Sequence, residues 1–483
     1  MNMDVLIINL PKMEPYYFPA APAILKGGCN YLDLSSKVID FNLHYVECCA
    51  RNNLQWRTAT TNIETESIEI QNIFVEEIKT WAQTICSHNP KLLAVSIFSY
   101  YGHFFARELL KELKKINFKG QIILGGSGIS DAMNEKPIFA MEMINLQLAS
   151  AMIGGDSEAA WIAFLLEYFN IIKPPEPEYT LNTPYISDFS DYDTAKYEKW
   201  KHGEYKVTIP VTGSRGCVRK CTFCEIHRHW KFDQRSATHI LTEIEQLIEL
   251  VEDPHIHFTD SLLNGNLVEF TDIITGLAKF KSSGKKFSWG GQFIIRSQKQ
   301  FPEKYWKILG DTNCQNLEIG VETGSDKLRY EMKKNFSNDD LDYSLEMMKK
   351  YNITCIFLLF IGYPTETAEQ FAETFKMFEK YQKYANNVIE MVELNFSMAV
   401  EKNTPLYDIR DTLGIKTTWD PVLWFCTTNP TLTFKERVRR RLVLQEHIEK
   451  LGFTPSFNKK VQLLEIFKNY KVYKRAVNII NRN

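Results

Sequence analysis

Short runs of aliphatic and β-branched residues alternate with longer amphipathic stretches through the first 170 residues. The runs are Val5-Leu6-Ile7-Ile8, Lys37-Val38-Ile39, Leu92 to Ile97, Gln121-Ile122-Ile123-Leu124 and Ala151-Met152-Ile153. That rhythm predicts an α/β domain over residues 1–171, a Rossmann-like parallel sheet wrapped by helices. Ligands of such open sheets bind beyond the carboxyl ends of the strands, near the point where strand order reverses. Gly125-Gly126-Ser127-Gly128 follows the fourth strand as a dinucleotide fingerprint would. Counting from Gly126, however, Asp131 falls where the last glycine belongs, so a nicotinamide or flavin site is not supported.

Residues 172–205 begin Lys173-Pro174-Pro175-Glu176-Pro177 and read as a linker. The alternation restarts at Lys206, with strands expected near 206–212, 255–259, 286–293, 316–321, 353–361 and 387–398 and helices between them, such as Thr238 to Glu252. Six strand-helix units predict a partial (β/α)6 barrel over residues 206–399. Residues 400–483 read as a mainly helical C-terminal appendage. Its basic run, Phe434-Lys435-Glu436-Arg437-Val438-Arg439-Arg440-Arg441, is expected to be a solvated helix face, with a grip on an acidic substrate as the alternative.

Composition narrows the class. A chain of 483 residues exceeds one hydrophobic core, and 44% hydrophobic residues, 24% charged residues and a net charge of -2 describe a folded enzyme with no general nucleic-acid signal. The longest apolar runs, such as Ile356 to Ile361, fall far short of the roughly 20 residues that span a bilayer. Ten dispersed cysteines with no signal peptide lead us to expect a reducing, cytoplasmic setting. The adjacent pair Cys48-Cys49 carries no assigned role.

Chemistry concentrates in Thr212-Gly213-Ser214-Arg215-Gly216-Cys217-Val218-Arg219-Lys220-Cys221-Thr222-Phe223-Cys224, a C-x3-C-x2-C cluster straight after a predicted strand. Four thiolates would close a structural metal site. Three on one loop can hold three corners of an iron-sulfur cluster and leave one iron open for a reactant. A zinc knuckle completed by His227 or His229 is the competing reading.

With Phe223 before its last cysteine, this stretch resembles the signature of the radical S-adenosylmethionine (SAM) superfamily. The resemblance implies a 4Fe-4S cluster on Cys217, Cys221 and Cys224. It also implies S-adenosylmethionine chelating the fourth iron and cleaved to a 5'-deoxyadenosyl radical, and a reducing partner such as flavodoxin or ferredoxin. Four later segments fall at carboxyl ends of barrel strands: His257 to Ser261, Trp289 to Gln292 with Arg296, Ile319 to Asp326, and Ile361 to Thr367. Gly320-Val321-Glu322-Thr323-Gly324-Ser325-Asp326 is similar to the family's Gly-Ile-Glu-Ser-Gly-Ser-Asp, which implies a ribose contact for Glu322. Met332-Lys333-Lys334 matches the subfamily's Met-x-Lys, which implies that Lys334 pairs with the methionine carboxylate. Gln292, Arg296 and Ser261 are further cofactor-binding candidates; Asp260 and Ser261 also read as residues that cap the next helix. Trp230, Trp289, Tyr363 and Trp424 receive no role.

The strand-end loops of residues 1–171, including Ser99, Gly126 and Gly154, resemble the cobalamin-binding domain of one radical SAM subfamily, the class B methyltransferase-like enzymes. The Asp-x-His-x-x-Gly cobalt-ligand signature is absent, so no histidine ligand is expected, with His44 and His103 as the residues to check. The resemblance implies a cobalamin-dependent radical SAM methyltransferase that moves a methyl group by way of methylcobalamin to an unactivated carbon. Cobalamin-independent radical chemistry (cyclisation, rearrangement or C-S bond formation) and a zinc-stabilised binding protein are the alternatives. The catalytic residues and the substrate, whether small molecule, lipid, tetrapyrrole or peptide, are not read from the sequence.

Overall fold

The computed structural model describes residues 3–54, 63–130, 137–155, 157–172, 181–200, 206–394, 398–418 and 420–456. Parts of the expected linker, 173–180 and 201–205, and of the C-terminal appendage, 457–483, therefore lie outside the described residues. The chain divides into two compact units, residues 1–211 with 242–256, and residues 212–241 with 257–483.

The first unit runs β1 (Val5–Asn9), α1 (Ala20–Tyr31), β2 (Ser36–Asp40), α2 (Phe41–Arg51), α3 (Ile68–His88), β3 (Leu92–Ser96), α4 (His103–Lys115), β4 (Gln121–Gly125), α5 (Ile138–Asn145), β5 (Ala151–Ile153), α6 (Ser157–Tyr168), α7 (Thr194–Trp200) and β6 (Thr208–Val211). β1 and β3 are buried at every position, which is why they read as unbroken apolar runs. The parallel sheet has the order β2-β1-β3-β4-β5, so strand order reverses between β1 and β3.

Beyond those strand ends the backbone is tightly laced. Leu10 N–H donates to Ser96 O at 3.0 Å, Ile97 N–H to Gly125 O at 2.9 Å, and Gly128 N–H to Ile97 O at 2.8 Å. The carboxylate of Asp40, enclosed at the end of β2, accepts from Asn9 Nδ2 at 2.8 Å, Asn42 N–H at 3.0 Å and the Tyr197 hydroxyl at 2.7 Å. Three donors offset the cost of burying that charge, and the third ties α7 to the sheet.

The second unit's elements follow as β7 (Ser214–Arg215), α8 (Ile226–His229), β8 (Asp233–Gln234), α9 (Ala237–Leu250), β9 (His255–Phe258), α10 (Leu267–Ser282), β10 (Ser288–Gln292), α11 (Glu303–Gly310), β11 (Cys314–Glu322), α12 (Asp326–Glu331), α13 (Asn338–Lys350), β12 (Cys355–Leu359), α14 (Ala368–Tyr381) and β13 (Ile389–Leu394). The unit boundary passes through α9 and β9. Six strands in the order β13-β12-β11-β10-β9-β6, with helices between them, make the partial barrel expected from the alternation. After the barrel come α15 (Pro405–Asp408), the antiparallel pair β14 (Ile415–Lys416) and β15 (Phe425–Cys426), and α16 (Phe434–Lys450).

The basic run departs from expectation. Arg437, Arg440 and Arg441 on α16 are buried, and of the run's four arginines only Arg439 faces solvent. Arg437 lies 3.8 Å over the Trp424 ring and donates to Trp424 O and Val422 O. Arg440 Nη1 meets Glu366 Oε2 at 3.0 Å where both side chains are under a tenth exposed. Aromatic and carboxylate partners far away in sequence decide this burial, and a helical charge run shows none of them.

Two stability changes are expected. Gly126 has φ +93° and a Cβ there would lie 2.4 Å from Ile97 O, so Gly126→Ala should destabilise the first unit by about 2–3 kcal/mol. Arg440→Ala strands Glu366 in the core and should cost the second unit about 3–5 kcal/mol. Denaturant titration followed by tryptophan fluorescence measures both.

Candidate functional site

The cysteine loop begins where β6 ends, and both of its flanks are pinned. β7 pairs antiparallel with β8, and Arg235 closes the base by donating its N–H to Gly213 O at 2.9 Å and Nη1 to Thr212 O at 2.8 Å. Gly216 has φ +74°, and a Cβ there would lie 2.8 Å from Trp230 O, so this glycine lets the two sides of the loop close together. Gly213 N–H donates to Asp260 Oδ2 at 2.8 Å and Ser214 Oγ to Leu262 O at 3.0 Å. Asp260 thus braces the cysteine loop, and its expected role as a helix cap is corrected: α10 is capped by Asn266.

The thiol end is strapped to the segment after α12. Thr222 N–H donates to Met332 O at 3.1 Å, Leu406 N–H to Thr222 O at 2.7 Å, and the Thr222 and Tyr363 hydroxyls are 2.9 Å apart. Cys221 Sγ lies 4.0 Å from Lys333 O, and Cys217 Sγ accepts from Arg219 N–H at 3.4 Å. Phe223 packs edge-on against Phe360 with centroids 4.8 Å apart.

Cys217, Cys221 and Cys224 are free thiols, Cys221 buried and the others partly so. Burial pushes all three upward, Cys221 to about 11, while the Lys334 ammonium pulls each one down. Among the described residues no three His, Cys, Asp or Glu side chains converge as ligands of one ion. A cluster binds each thiolate to a different iron, so its ligands stand apart rather than meet at a point. His229 Nε2 lies 3.2 Å from Glu225 Oε2 rather than in a thiol set.

The structure places several sequence-predicted residues around these thiols. Glu322 ends β11 with φ +64°, and its Oε1 accepts from Lys334 Nζ at 2.9 Å. Lys334 lies 5.8 Å from the Phe223 ring centroid. Burial lowers its pKa, but Glu322 and the Cys221 thiol outweigh burial and hold it above the ordinary lysine value. Arg296 donates Nη2 to Asn264 O at 2.7 Å, and its charge reaches Cys217. Gln292 is exposed at the end of β10, and Ser261 is partly buried beyond β9; neither is brought against the thiols by a hydrogen bond among the described residues.

Arg219, which the sequence reading passed over, shares the field of Cys217 and Cys221. Its position inside the cysteine motif was the available signal. Trp289 and Trp424 are fully buried, with their ring N–H groups on Thr312 Oγ1 and Met398 O, whereas Trp230 is 39% exposed.

In the first unit, Ser99 opens the loop after β3, while Gly126 and Gly154 lie exposed beyond β4 and β5. Gly155, with φ +72°, has nothing within 4 Å of a built Cβ. This glycine edge leaves backbone open to a large ligand. His103 Nε2 lies 2.6 Å from Gly128 O, and its ring stacks 3.9 Å from Phe139. His44 stands edge-on to Phe41, its pKa lowered by burial.

Residues 211–378 match the Radical SAM superfamily. The chain is 26% identical over 188 residues to a tRNA-2-methylthio-N(6)-dimethylallyladenosine synthase of Sulfurihydrogenibium sp., covering 37% of this chain and 42% of that protein. It is 24% identical over 193 residues to an uncharacterized methyltransferase of Pyrococcus horikoshii, covering 39% and 40%. The chain thus spans less than half the length of these curated relatives. Its fold is similar to the radical S-adenosylmethionine methyltransferase TsrM from Kitasatospora setae, solved with cobalamin and a 4Fe-4S cluster, with a TM-score of 0.59, 14% identity, and 86% and 80% of the two chains covered. It is also similar to the cobalamin-dependent radical enzyme OxsB, solved with aqua-cobalamin and S-adenosylmethionine, with a TM-score of 0.54, 14% identity and coverage of 94% and 58%. The radical SAM match over residues 211–378 takes in the cysteine loop, Glu322 and Lys334.

Proposed function

We propose that the chain is a cobalamin-dependent radical SAM enzyme that transfers a methyl group to an unactivated carbon. The observation that carries this reading is a pinned three-thiol loop at the end of β6 in a chain that also holds a parallel sheet with open glycine loops beyond its strand ends. When bound, the cluster with S-adenosylmethionine supplies a 5'-deoxyadenosyl radical, and cobalamin supplies a methyl group.

The chain's own residues provide position and charge. Cys217, Cys221 and Cys224 hold the cluster, and the straps through Thr222 and Gly213 fix the loop before any ligand arrives. Glu322 offers a carboxylate that can accept from ribose hydroxyls, and Lys334 and Arg296 offer cations for the ligand carboxylate. Gln292 ends β10 and Ser261 follows β9, the two barrel strands next in order to β11. In the first unit, Ser99, Gly126 and Gly154 would carry cobalamin through short side chains and backbone, while His103 is engaged with Gly128 O and His44 with the Phe41 ring. The chain is read as cytoplasmic, reduced by a flavodoxin- or ferredoxin-like partner. Among the described residues no helix is long and apolar enough to cross a membrane.

Similarity to a tRNA methylthiotransferase supports a second reading, C-S bond formation, but the similarity covers 37% of this chain. The mass of the alkylated product separates methyl from methylthio transfer.

Anaerobic reconstitution with iron, sulfide and hydroxocobalamin should give about one cobalamin per cluster, read from the cobalt-to-iron ratio after gel filtration. Iron without cobalt would move the assignment to cobalamin-independent chemistry, and zinc without iron would end the radical reading. Cys221→Ala should lose cluster absorbance and all 5'-deoxyadenosine formation while the first unit stays folded by circular dichroism; continued 5'-deoxyadenosine production would remove Cys221 from the ligand set.

A further inference from the structure

We propose that Lys334 and Glu322 form an opposed charge pair, built into the wall of the cysteine site, that sets the reduction potential of the cluster. This rests on the cluster reading above and adds a function for two residues whose expected work is to hold S-adenosylmethionine.

The pair is enclosed. The side chains of Lys334 and Glu322 are 13% and 10% exposed, and Nζ and Oε1 lie 2.9 Å apart. A Cβ on Gly320 would lie 2.6 Å from Lys334 Nζ and 2.5 Å from Glu322 Oε1, so the glycine on the same strand makes the space in which the two charges meet. The segment carrying Lys334 is also the backing of the cysteine loop, through the Thr222 N–H bond to Met332 O and the approach of Cys221 Sγ to Lys333 O. The ammonium lies 5.8 Å from the centroid of the Phe223 ring, the residue that precedes the third cysteine in sequence.

The two charges stand differently to the loop. Lys334 meets it at Phe223, 5.8 Å from the ring centroid, and Glu322 meets the ammonium at 2.9 Å. Reduction would add one electron, from an external one-electron donor and with no bond made or broken, to a cluster held by the three cysteines. In a site with little water, an ammonium stabilises the reduced form and a carboxylate opposes it. Lys334 therefore raises the potential, and Glu322 trims that rise. Arg219 and Arg296 add positive charge on the Cys217 side.

The test is a redox titration of the reconstituted full-length chain without S-adenosylmethionine, followed by electron paramagnetic resonance of the reduced cluster, after iron and sulfide content has been matched. Lys334→Met should lower the midpoint by at least about 59 mV, a tenfold change for a one-electron couple. Glu322→Gln should raise it, and Lys334→Arg should stay near the parent. Opposite shifts from two neighbouring residues are the signature, because a loosened loop would move both variants the same way. Unchanged midpoints, or shifts of one sign, would overturn the proposal. If Lys334→Met assembles no cluster, Glu322→Gln decides alone, and an unmoved or lowered midpoint there overturns the idea. Failure of the parent chain to bind iron would instead defeat the cluster reading itself, and iron analysis shows that before any potential is measured.

Discussion

Three thiols stand where burial opposes their ionisation, and the second unit sets positive charge against that effect. Desolvation pushes Cys217, Cys221 and Cys224 upward, so charge of the opposite sign has to stand close by without competing as a ligand. An ammonium and two guanidiniums supply that charge. Lys334 comes from the turn after α12, Arg219 from inside the loop and Arg296 from beyond β10, so the field depends on three separate segments keeping their places. The same requirement explains the rigidity of the loop: charges at close range have a fixed effect only if the distances are fixed.

The first unit solves a different problem by different means. Among the described residues its strand ends carry no cluster of metal-ligating side chains, and the exposed glycines after β4 and β5 present backbone instead of side chains. Order comes from beneath, through the ladder from Leu10 to Ser96 and from Ile97 to Gly125, and through the Asp40 carboxylate that ties β1, α2 and α7 together. The surface this leaves is shaped by backbone, with His103 engaged by Gly128 O and His44 by the Phe41 ring.

Much of this was legible in the sequence. Fully buried strands such as β1 and β3 are apolar throughout, so their positions could be read within a residue or two. The cysteine spacing is local, and a local motif keeps its meaning whatever surrounds it. Glu322 and Lys334 were identified by resemblance, but their meeting across 2.9 Å was hidden, because it depends on a left-handed turn at Glu322 and on the course of α12. Asp260 was taken for a helix cap because it precedes a helix in sequence; its carboxylate turns instead toward Gly213, 47 residues earlier. The arginines of α16 looked solvated for the same reason, their partners being tertiary.

Those arginines bear on how the site is held. Gly362 takes φ +87° against the Arg437 side chain, the Tyr363 hydroxyl meets that of Thr222, Glu366 receives Arg440, and Thr367 caps α14 in a reciprocal box with Gln370. Thr365 Oγ1 donates to Glu331 Oε1 at 2.6 Å and Pro364 O accepts from Asn429 Nδ2 at 3.1 Å, so every residue from Gly362 to Thr367 is engaged within the protein. The segment acts as a clasp: it links α16 through Arg437 and Arg440 to the residue between Cys221 and Phe223. A buried ion pair is weak as a source of net stability but unforgiving of displacement, since moving either partner strands the other in a dry core. Placing one behind the cysteine loop makes the position of the loop, rather than the depth of the energy well, the property that the C-terminal helix protects.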